Sequence, residues 1–253
     1  MNAGLVPWRT AVPKEGTEKI VEIAGSVALV SGANRGLGAA FCRALLEAGA
    51  SKVYAGARDI ESFGWEMRTR VGRLEELATI VRALLAGERV TFHGRYHTVV
   101  SAQISPLPRV PVSLWLAGTV PEAAARAGRL GDAWLCGQNA SPAELKAQLA
   151  VYREAAAQAG RIPRPVLRRD IFVGETDTDA RTVVEPILAE GYRGTGHDTL
   201  LVGGPETVIR QLREYRAMGF EEVMVRHIVG DHQQMLESFE RIGRHVMPAI
   251  RGL

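Results

Sequence analysis

At 253 residues the chain is long enough for one large α/β domain, or for one small and one medium domain. Its 46% hydrophobic and 23% charged residues suit a globular protein and argue against an intrinsically disordered one. The net charge of +3 is carried by scattered arginines rather than a basic stripe, which argues against a nucleic-acid partner. No apolar run reaches the roughly 18 residues that a membrane span needs.

The two cysteines, Cys42 and Cys136, form no C-x-x-C pair and read as two buried thiols in a reducing compartment. Met1 to Lys19 contains Pro7, Pro13, Lys14, Glu15 and Lys19 and has no apolar core of a signal peptide. It reads as a leader on a cytoplasmic protein.

Taken in order, Ser26 to Ser31 is a short apolar run and predicts a buried parallel strand. A glycine-rich turn, Gly32 to Gly38, precedes a helix over about Leu37 to Ala48 that Gly49 closes. Lys52 to Ala57 predicts the next strand and completes one β-α-β unit. The character changes between Asp59 and Gly64, so the expected division is residues 1–62 and 63–253.

A helix is expected over Met67 to Ala86, with Met67, Val71, Leu74, Ala78, Val81 and Leu85 on its apolar face. Arg89 to Val100 reads as a hairpin-like excursion, and Pro106, Pro108 and Pro111 mark a loop. A strand over Val112 to Ala117, the turn Gly118 to Pro121, an alanine-rich helix to Leu130 and a strand over Asp132 to Cys136 follow. Ser141-Pro142-Ala143-Glu144 is a capping box with proline at the first helical position, and the helix runs to Gly160.

Val166 to Val173 predicts a strand and Asp179 to Ala189 a helix. Gly203-Gly204-Pro205 opens a helix that ends at Gly219. Glu222 to Ile228 is the last strand, and a terminal helix turns Met235, Phe239, Ile242 and Val246 inward. The fold class is α/β, built from parallel β/α units.

Ser31 to Gly38 sits between a strand and a helix, where glycines let backbone N–H groups approach a pyrophosphate. This segment, over about Ile23 to Asp59, resembles the short-chain dehydrogenase/reductase family. The resemblance implies a Rossmann-like unit in which Gly32, Arg35, Gly36, Gly38 and Arg58 contact a dinucleotide, with the two arginines on the 2′-phosphate of NADP. That family's catalytic pair is a Tyr with a Lys four residues later. Tyr54, Tyr96, Tyr152, Tyr192 and Tyr215 are instead followed by Arg58, Val100, Ala156, Gly196 and Gly219. The unit therefore reads either as scaffold or as a residual nucleotide site.

From about Gly64 to Arg251 a second resemblance is carried by dispersed, ordered pieces. They are Arg73 to Glu76, Gly87 to Tyr96, Val112 to Gly118, Ala127 to Trp134, Val202 to Val208, Val223 to His227, Phe239 to Gly243 and Val246 to Pro248. Together they resemble the luciferase-like monooxygenase superfamily. This implies a (β/α)8 TIM-barrel-like fold with FMN or coenzyme F420 at the carboxyl ends of the strands. Gly118 and Thr119 would lie on the cofactor phosphate, before a helix that starts at Pro121. The implied function is a flavin- or deazaflavin-dependent oxidoreductase or monooxygenase acting on a small molecule. The alternatives are an NADP-binding dehydrogenase-like protein and a non-catalytic truncated relative.

About 60 residues stand where the family carries its first barrel half, and an eight-stranded closure needs more strands than the roughly six countable here. An incomplete barrel is expected, with exposed strand edges that favour homo-oligomers.

His93 and His97 have metal-like spacing, but their context reads as a loop or strand and no third ligand follows, so no metal site is expected. His227, at a strand end, reads as structural or substrate-facing, and Asp132 as a group that fixes backbone. Trp115 and Trp134 read as core. For Gly203 and Gly204 a plain turn is favoured over a phosphate site.

Overall fold

The computed structural model describes residues 23–31, 33, 36–56, 66–194, 196–228 and 231–251. The leader, Gly32, Arg35, Arg58 and the expected junction between Asp59 and Gly64 lie outside the described residues. The chain divides into two compact units, Met1–Val71 and Gly72–Leu253.

In the first unit, β1 (Val27–Ser31), α1 (Gly36–Glu47) and β2 (Lys52–Gly56) follow in order. β1 and β2 pair in parallel, Val27 opposite Lys52 through Ser31 opposite Gly56. Gly36 begins α1 at φ +55, in the left-handed region that favours glycine. The helix α2 (Arg70–Leu85) begins in the first unit and runs on into the second. Of its expected apolar face, Ala78 is buried, but Met67 and Leu74 are exposed and Ile80 takes an inner position instead. Val71, Val81 and Leu85 of the expected face are half-buried, and Leu77, one turn before Ile80, is exposed, so the expected face is kept in part.

The second unit opens with a hairpin, β3 (Val90–His93) against β4 (Thr98–Ala102), paired antiparallel with a register shift between Val90 and Phe92. Glu76 of α2 holds its turn: one carboxylate oxygen accepts from Arg95 N at 2.7 Å, the other from Tyr96 N at 3.0 Å and His97 N at 2.9 Å. The same oxygen lies 3.2 Å from His97 Nδ1. Burial tends to raise the Glu76 pKa, but these hydrogen bonds outweigh it and hold the carboxyl below its usual range. His97 is thus committed to the hairpin.

A five-stranded sheet follows: β5 (Trp115–Gly118), β6 (Ala133–Cys136), β7 (Pro165–Val173), β8 (Leu200–Gly203) and β9 (Glu222–His227). Every pairing in it is parallel. β5 starts at Trp115 rather than at Val112, and β8 was not expected.

The nine-residue β7 has three neighbours, and its hydrogen bonds show how. Arg164 O accepts from Trp134 N at 3.1 Å and Gly174 N donates to Gly203 O at 3.0 Å, so even-numbered residues face β6 and then β8. Ile171 O accepts from Ile228 N at 3.2 Å, so odd-numbered residues face β9. β5, β6, β7 and β9 therefore lie side by side, and β8 continues the β6 edge.

Five helices connect or follow these strands: α3 (Pro121–Leu130), α4 (Pro142–Gln158), α5 (Asp177–Ala189), α6 (Pro205–Met218) and α7 (His232–Arg241). Ser141 and Glu144 make the expected capping box of α4, with Pro142 in its first turn. Gly219 stops α6 at φ +106.

α3 and α4 pack closely because Gly128 has no side chain. A Cβ there would meet Tyr152 O at 2.6 Å and Ala156 N at 2.9 Å. The main core joins Leu116, Trp134, Leu167, Ile171 and Val173 of the sheet to Ala124, Leu145, Leu149, Tyr152, Val208 and Leu212 of the helices. The terminal segment departs from a regular helix: after α7 a π-turn, Ile242–Val246, leads to α8 (Met247–Ile250). This wider turn shifts the helical phase. Val246 is buried as expected, but Phe239 is 44% exposed, and Ser238 faces inward to accept from Val173 N at 2.9 Å. No described helix is long and apolar enough to cross a membrane.

Asp132 fixes the entry to β6. Its carboxylate accepts from Arg82 Nη1 at 2.8 Å, from Leu114 N at 2.7 Å and from Arg161 Nη1 at 3.4 Å. Burial raises its pKa, and these donors more than reverse that, so the carboxyl titrates below its ordinary value. A depressed folded pKa gives stability that is present above the unfolded value, about 3.9, and is lost as pH falls through the folded one. Asp132→Asn is expected to cost about 1–3 kcal/mol at pH 7. Denaturant melts should show the gap between wild type and variant closing below about pH 4.

Candidate functional site

The carboxyl ends of β5, β6 and β9 meet the middle of β7: Thr119 adjoins Gly137, Gln138 bonds Arg226, and Arg226 bonds Asp170. Gly118 is buried. A Cβ on it would meet the carbonyl carbon of Ala123 at 2.8 Å and its Cβ at 2.9 Å, so the missing side chain seats α3 against β5. The Gly118 carbonyl accepts from the Trp134 indole at 3.2 Å, deep in the core.

Thr119 and Val120 are the exposed residues of this turn. The Thr119 carbonyl accepts from Gln148 Nε2 at 3.2 Å, which fixes the backbone from below. Val120 is the N-cap of α3 in an extended conformation and supplies no side-chain cap, and Pro121 follows at the first helical position. The positive end of α3 thus reaches the surface without a capping side chain of its own, as an anion site requires. Gly137 abuts this turn, since a Cβ there would come within 2.9 Å of Thr119 Cγ2.

The next loop, between β6 and α4, is organised by Arg169, which is fully buried. Its guanidinium donates to the carbonyls of Gly137 at 3.2 Å, Gln138 at 2.9 Å and Ala140 at 2.7 Å, and its Nε to the Tyr215 hydroxyl at 3.0 Å. This residue carried no sequence signal: an arginine in a strand is ordinarily a surface group. The loop it holds presents Gln138, whose Oε1 accepts from Arg226 Nη2 at 3.1 Å.

Arg226 also donates to Asp170 Oδ2 at 2.5 Å, and the Tyr192 hydroxyl donates to the same oxygen at 3.0 Å. The hydrogen bond to Asp170 raises the Arg226 pKa further above its ordinary range. Burial, then the neighbouring Asp170 charge, pushes the Tyr192 phenol up, so it stays a donor at neutral pH. Asp170 and Tyr192 were not singled out from the sequence either. Their pairing depends on the β7–β9 register, Asp170 opposite Arg226, which no local pattern shows.

The other expected residues fall elsewhere. Gly36 and Gly38 lie in the first turn of α1, and Gly36 is exposed. Gly204 is the N-cap of α6 with Pro205 after it, the plain turn that was favoured. Its N–H is already engaged by Asp177 Oδ1 at 2.7 Å, while Asp177 Oδ2 accepts from Thr207 Oγ1 at 2.9 Å. The Asp177 carboxylate thus serves as the anion at that helix end.

His227 packs between Phe172 and Phe239, with ring centroids 5.5 and 5.2 Å away. Trp134 is fully buried, as expected of core. The buried Cys136 thiol has its pKa raised by burial, while Cys42 is partly exposed. Among the described residues no group of three or more His, Cys, Asp or Glu could hold a metal ion.

The chain is similar to proteins of known family. The luciferase-like monooxygenase family profile matches residues 43–198. An F420-dependent glucose-6-phosphate dehydrogenase from Intrasporangium calvum is 27% identical over 217 residues, covering 74% of this chain and 64% of the relative. An F420-dependent hydroxymycolic acid dehydrogenase from Mycobacterium tuberculosis is 33% identical over 125 residues, covering 48% of this chain and 34% of the relative. The chain thus spans less than two thirds of the length of these relatives. Among solved structures, an F420-dependent secondary alcohol dehydrogenase in complex with an F420-acetone adduct shares the fold, at a TM-score of 0.62 and 20% identity, over 79% of this chain and 70% of that one. The family match spans well over half of the sequence, and the chain belongs to the luciferase-like monooxygenase family.

Proposed function

We propose that this protein is an oxidoreductase that uses the deazaflavin coenzyme F420, with a cofactor phosphate at the exposed turn between β5 and α3. The observation that carries the reading is the uncapped start of α3 at Thr119 and Val120, beside the side-chain-free Gly137. Backbone N–H groups at such a helix start favour a phosphate without any cationic side chain. FMN carries a phosphate too, so the turn alone does not choose between the two; the choice of F420 rests on the relatives named above.

Bound, the deazaflavin supplies a hydride donor or acceptor. The protein's own part is binding and orientation. Thr119 and Val120 hold the phosphate, Gln148 keeps the Thr119 backbone in place, and Arg169 fixes the loop that carries Gln138. Gly118 contributes by allowing α3 to approach β5, not by touching the cofactor.

A second reading is favoured by one observation, the parallel β1–α1–β2 unit with α1 starting at Gly36. In it NADP binds at that helix start, with Gly32, Arg35, Gly38 and Arg58 as further contacts.

Equilibrium dialysis against F420, FMN and NADPH separates these readings. Saturable F420 binding at tens of micromolar or below is expected, weakened about tenfold or more by Gly137→Val, whose side chain enters the turn. NADPH binding that Gly36→Val abolishes, without F420 binding, would favour the second reading.

The same proposal extends to assembly. β5, β6, β7 and β9 lie side by side, half the number that an eight-stranded closure uses. Val223, Met224 and Val225 of β9 are all exposed. An apolar, open strand of this kind favours pairing with another copy. Sedimentation velocity at micromolar concentration is expected to show a dimer or larger species, and a stable monomer would count against the incomplete barrel.

A further inference from the structure

A parallel sheet is stable when both of its faces are covered and its edges are paired or shielded. In the sheet of the second unit the helix layer is out of step with the strands. α4 packs on α3 at Gly128, and its Tyr152 reaches Trp134 of β6 with ring centroids 5.3 Å apart. α2 lies on the other flank of α3: Arg126 Nε donates to Glu75 Oε1 at 3.1 Å, and Arg82 Nη2 donates to Leu130 O at 2.7 Å. With α4 over β6, α2 overhangs the outer edge of β5, which pairs with no described strand. Leu74, Leu77 and Val81 share one side of α2, and Leu74 and Leu77 are exposed. At this end of the sheet a helix with an apolar flank has no described strand against it.

The opposite end shows the converse. β9 is an edge strand, paired among the described residues with β7 alone. The register sets Val223 opposite Leu167 and Val225 opposite Arg169, on the side that the helices cover at β7. Both valines are nevertheless exposed. A strand lacks a helix here, where at β5 a helix lacks a strand. On the other face of the sheet the same two edge strands carry exposed Ala117 and Met224.

We infer that two copies of this chain close one eight-stranded parallel barrel, each β9 pairing with the outer edge of the partner's β5 beneath the partner's α2. Four strands side by side in each copy supply the eight that closure uses. A two-fold axis along the barrel makes the two junctions alike, keeps every strand parallel and leaves no open edge. Pairing of β9 with β9 would leave both β5 edges and both overhanging helices bare. Closure also brings the carboxyl end of the partner's β9 next to the Thr119 turn, so that each proposed phosphate site is walled by both chains. This rests on the reading of the chain as an incomplete barrel.

Cross-linking of the full chain tests the arrangement. Cys42→Ser is the background, and Cys136 is buried. Val225→Cys chains and Leu77→Cys chains are treated with a short bis-maleimide, each alone and as a mixture. The mixture should give a cross-linked dimer, and neither chain should do so alone. A chain with both substitutions should stop at the dimer. Leu77→Lys, at a position exposed in the single chain, should raise the dimer dissociation constant about tenfold or more in sedimentation equilibrium, with the circular dichroism spectrum unchanged.

A monomer at micromolar concentration overturns the inference and the incomplete barrel with it. Three results overturn the inference alone: a dimer in which either chain cross-links to its own kind, a ladder of longer species from the double variant, or a dimer that Leu77→Lys leaves as tight as before. F420 dialysis in parallel reports on the cofactor separately. F420 binding by a monomer refutes closure only, and a closed dimer that binds no F420 refutes the cofactor only.

Discussion

The buried guanidinium of Arg169 is the constraint on which the proposed site depends. A cation fully withdrawn from water is tolerated only if its donors are met. Here they are met by three carbonyls of one loop, by the Arg168 carbonyl and by a tyrosine hydroxyl, with no ion pair to a carboxylate among the described residues. The guanidinium also lies over the Tyr215 ring, 4.9 Å from its centroid. The effect is to fasten the β6–α4 loop to the centre of β7. Since that loop carries Gln138, the position of Arg226 follows from it, and so does the uneven loading of Asp170.

β7 is the other organising element. Its odd-numbered residues enter the main core, as Leu167, Ile171 and Val173 show, while Asp170 on the opposite face meets Arg226. Both faces are packed: Arg169 shares the core face, and Phe172, on the face of Asp170, joins a second apolar cluster with Val184, Leu200 and Ile228. The glycines at the strand ends have separate roles. Gly118 serves packing, since α3 fills the space its side chain would take, whereas Gly137 keeps the neighbouring turn open. Asp177 draws a similar distinction between the two glycine-led helix starts: its carboxylate accepts from the N-cap N–H of α6, while α3, with Glu122 in its first turn, has no side-chain cap hydrogen bond.

Much of the framework was legible in the sequence because its signals are local. The capping box at Ser141 and Glu144, proline at the start of α3, α4 and α6, and Gly219 in a left-handed stop each act within a few residues. β8 was missed because a four-residue strand directly before a glycine turn has no periodicity to detect. The inward face of the terminal helix was half right: the π-turn moved Phe239 outward and kept Val246 inside. The site was least legible. Thr119 was visible as a turn residue, but Arg169, Asp170 and Tyr192 acquire their roles through partners 22 to 56 residues away in the chain. Register and burial decide such roles, and neither is written in short motifs.

The account stands or falls on where a deazaflavin phosphate would rest. The most direct measurement is a titration of 15N-labelled protein with F420, following the backbone amides by NMR. Saturable shifts centred on Thr119, Val120 and Gly137 are the predicted result. Amides at the end of β5 that stay unmoved while others saturate would contradict it.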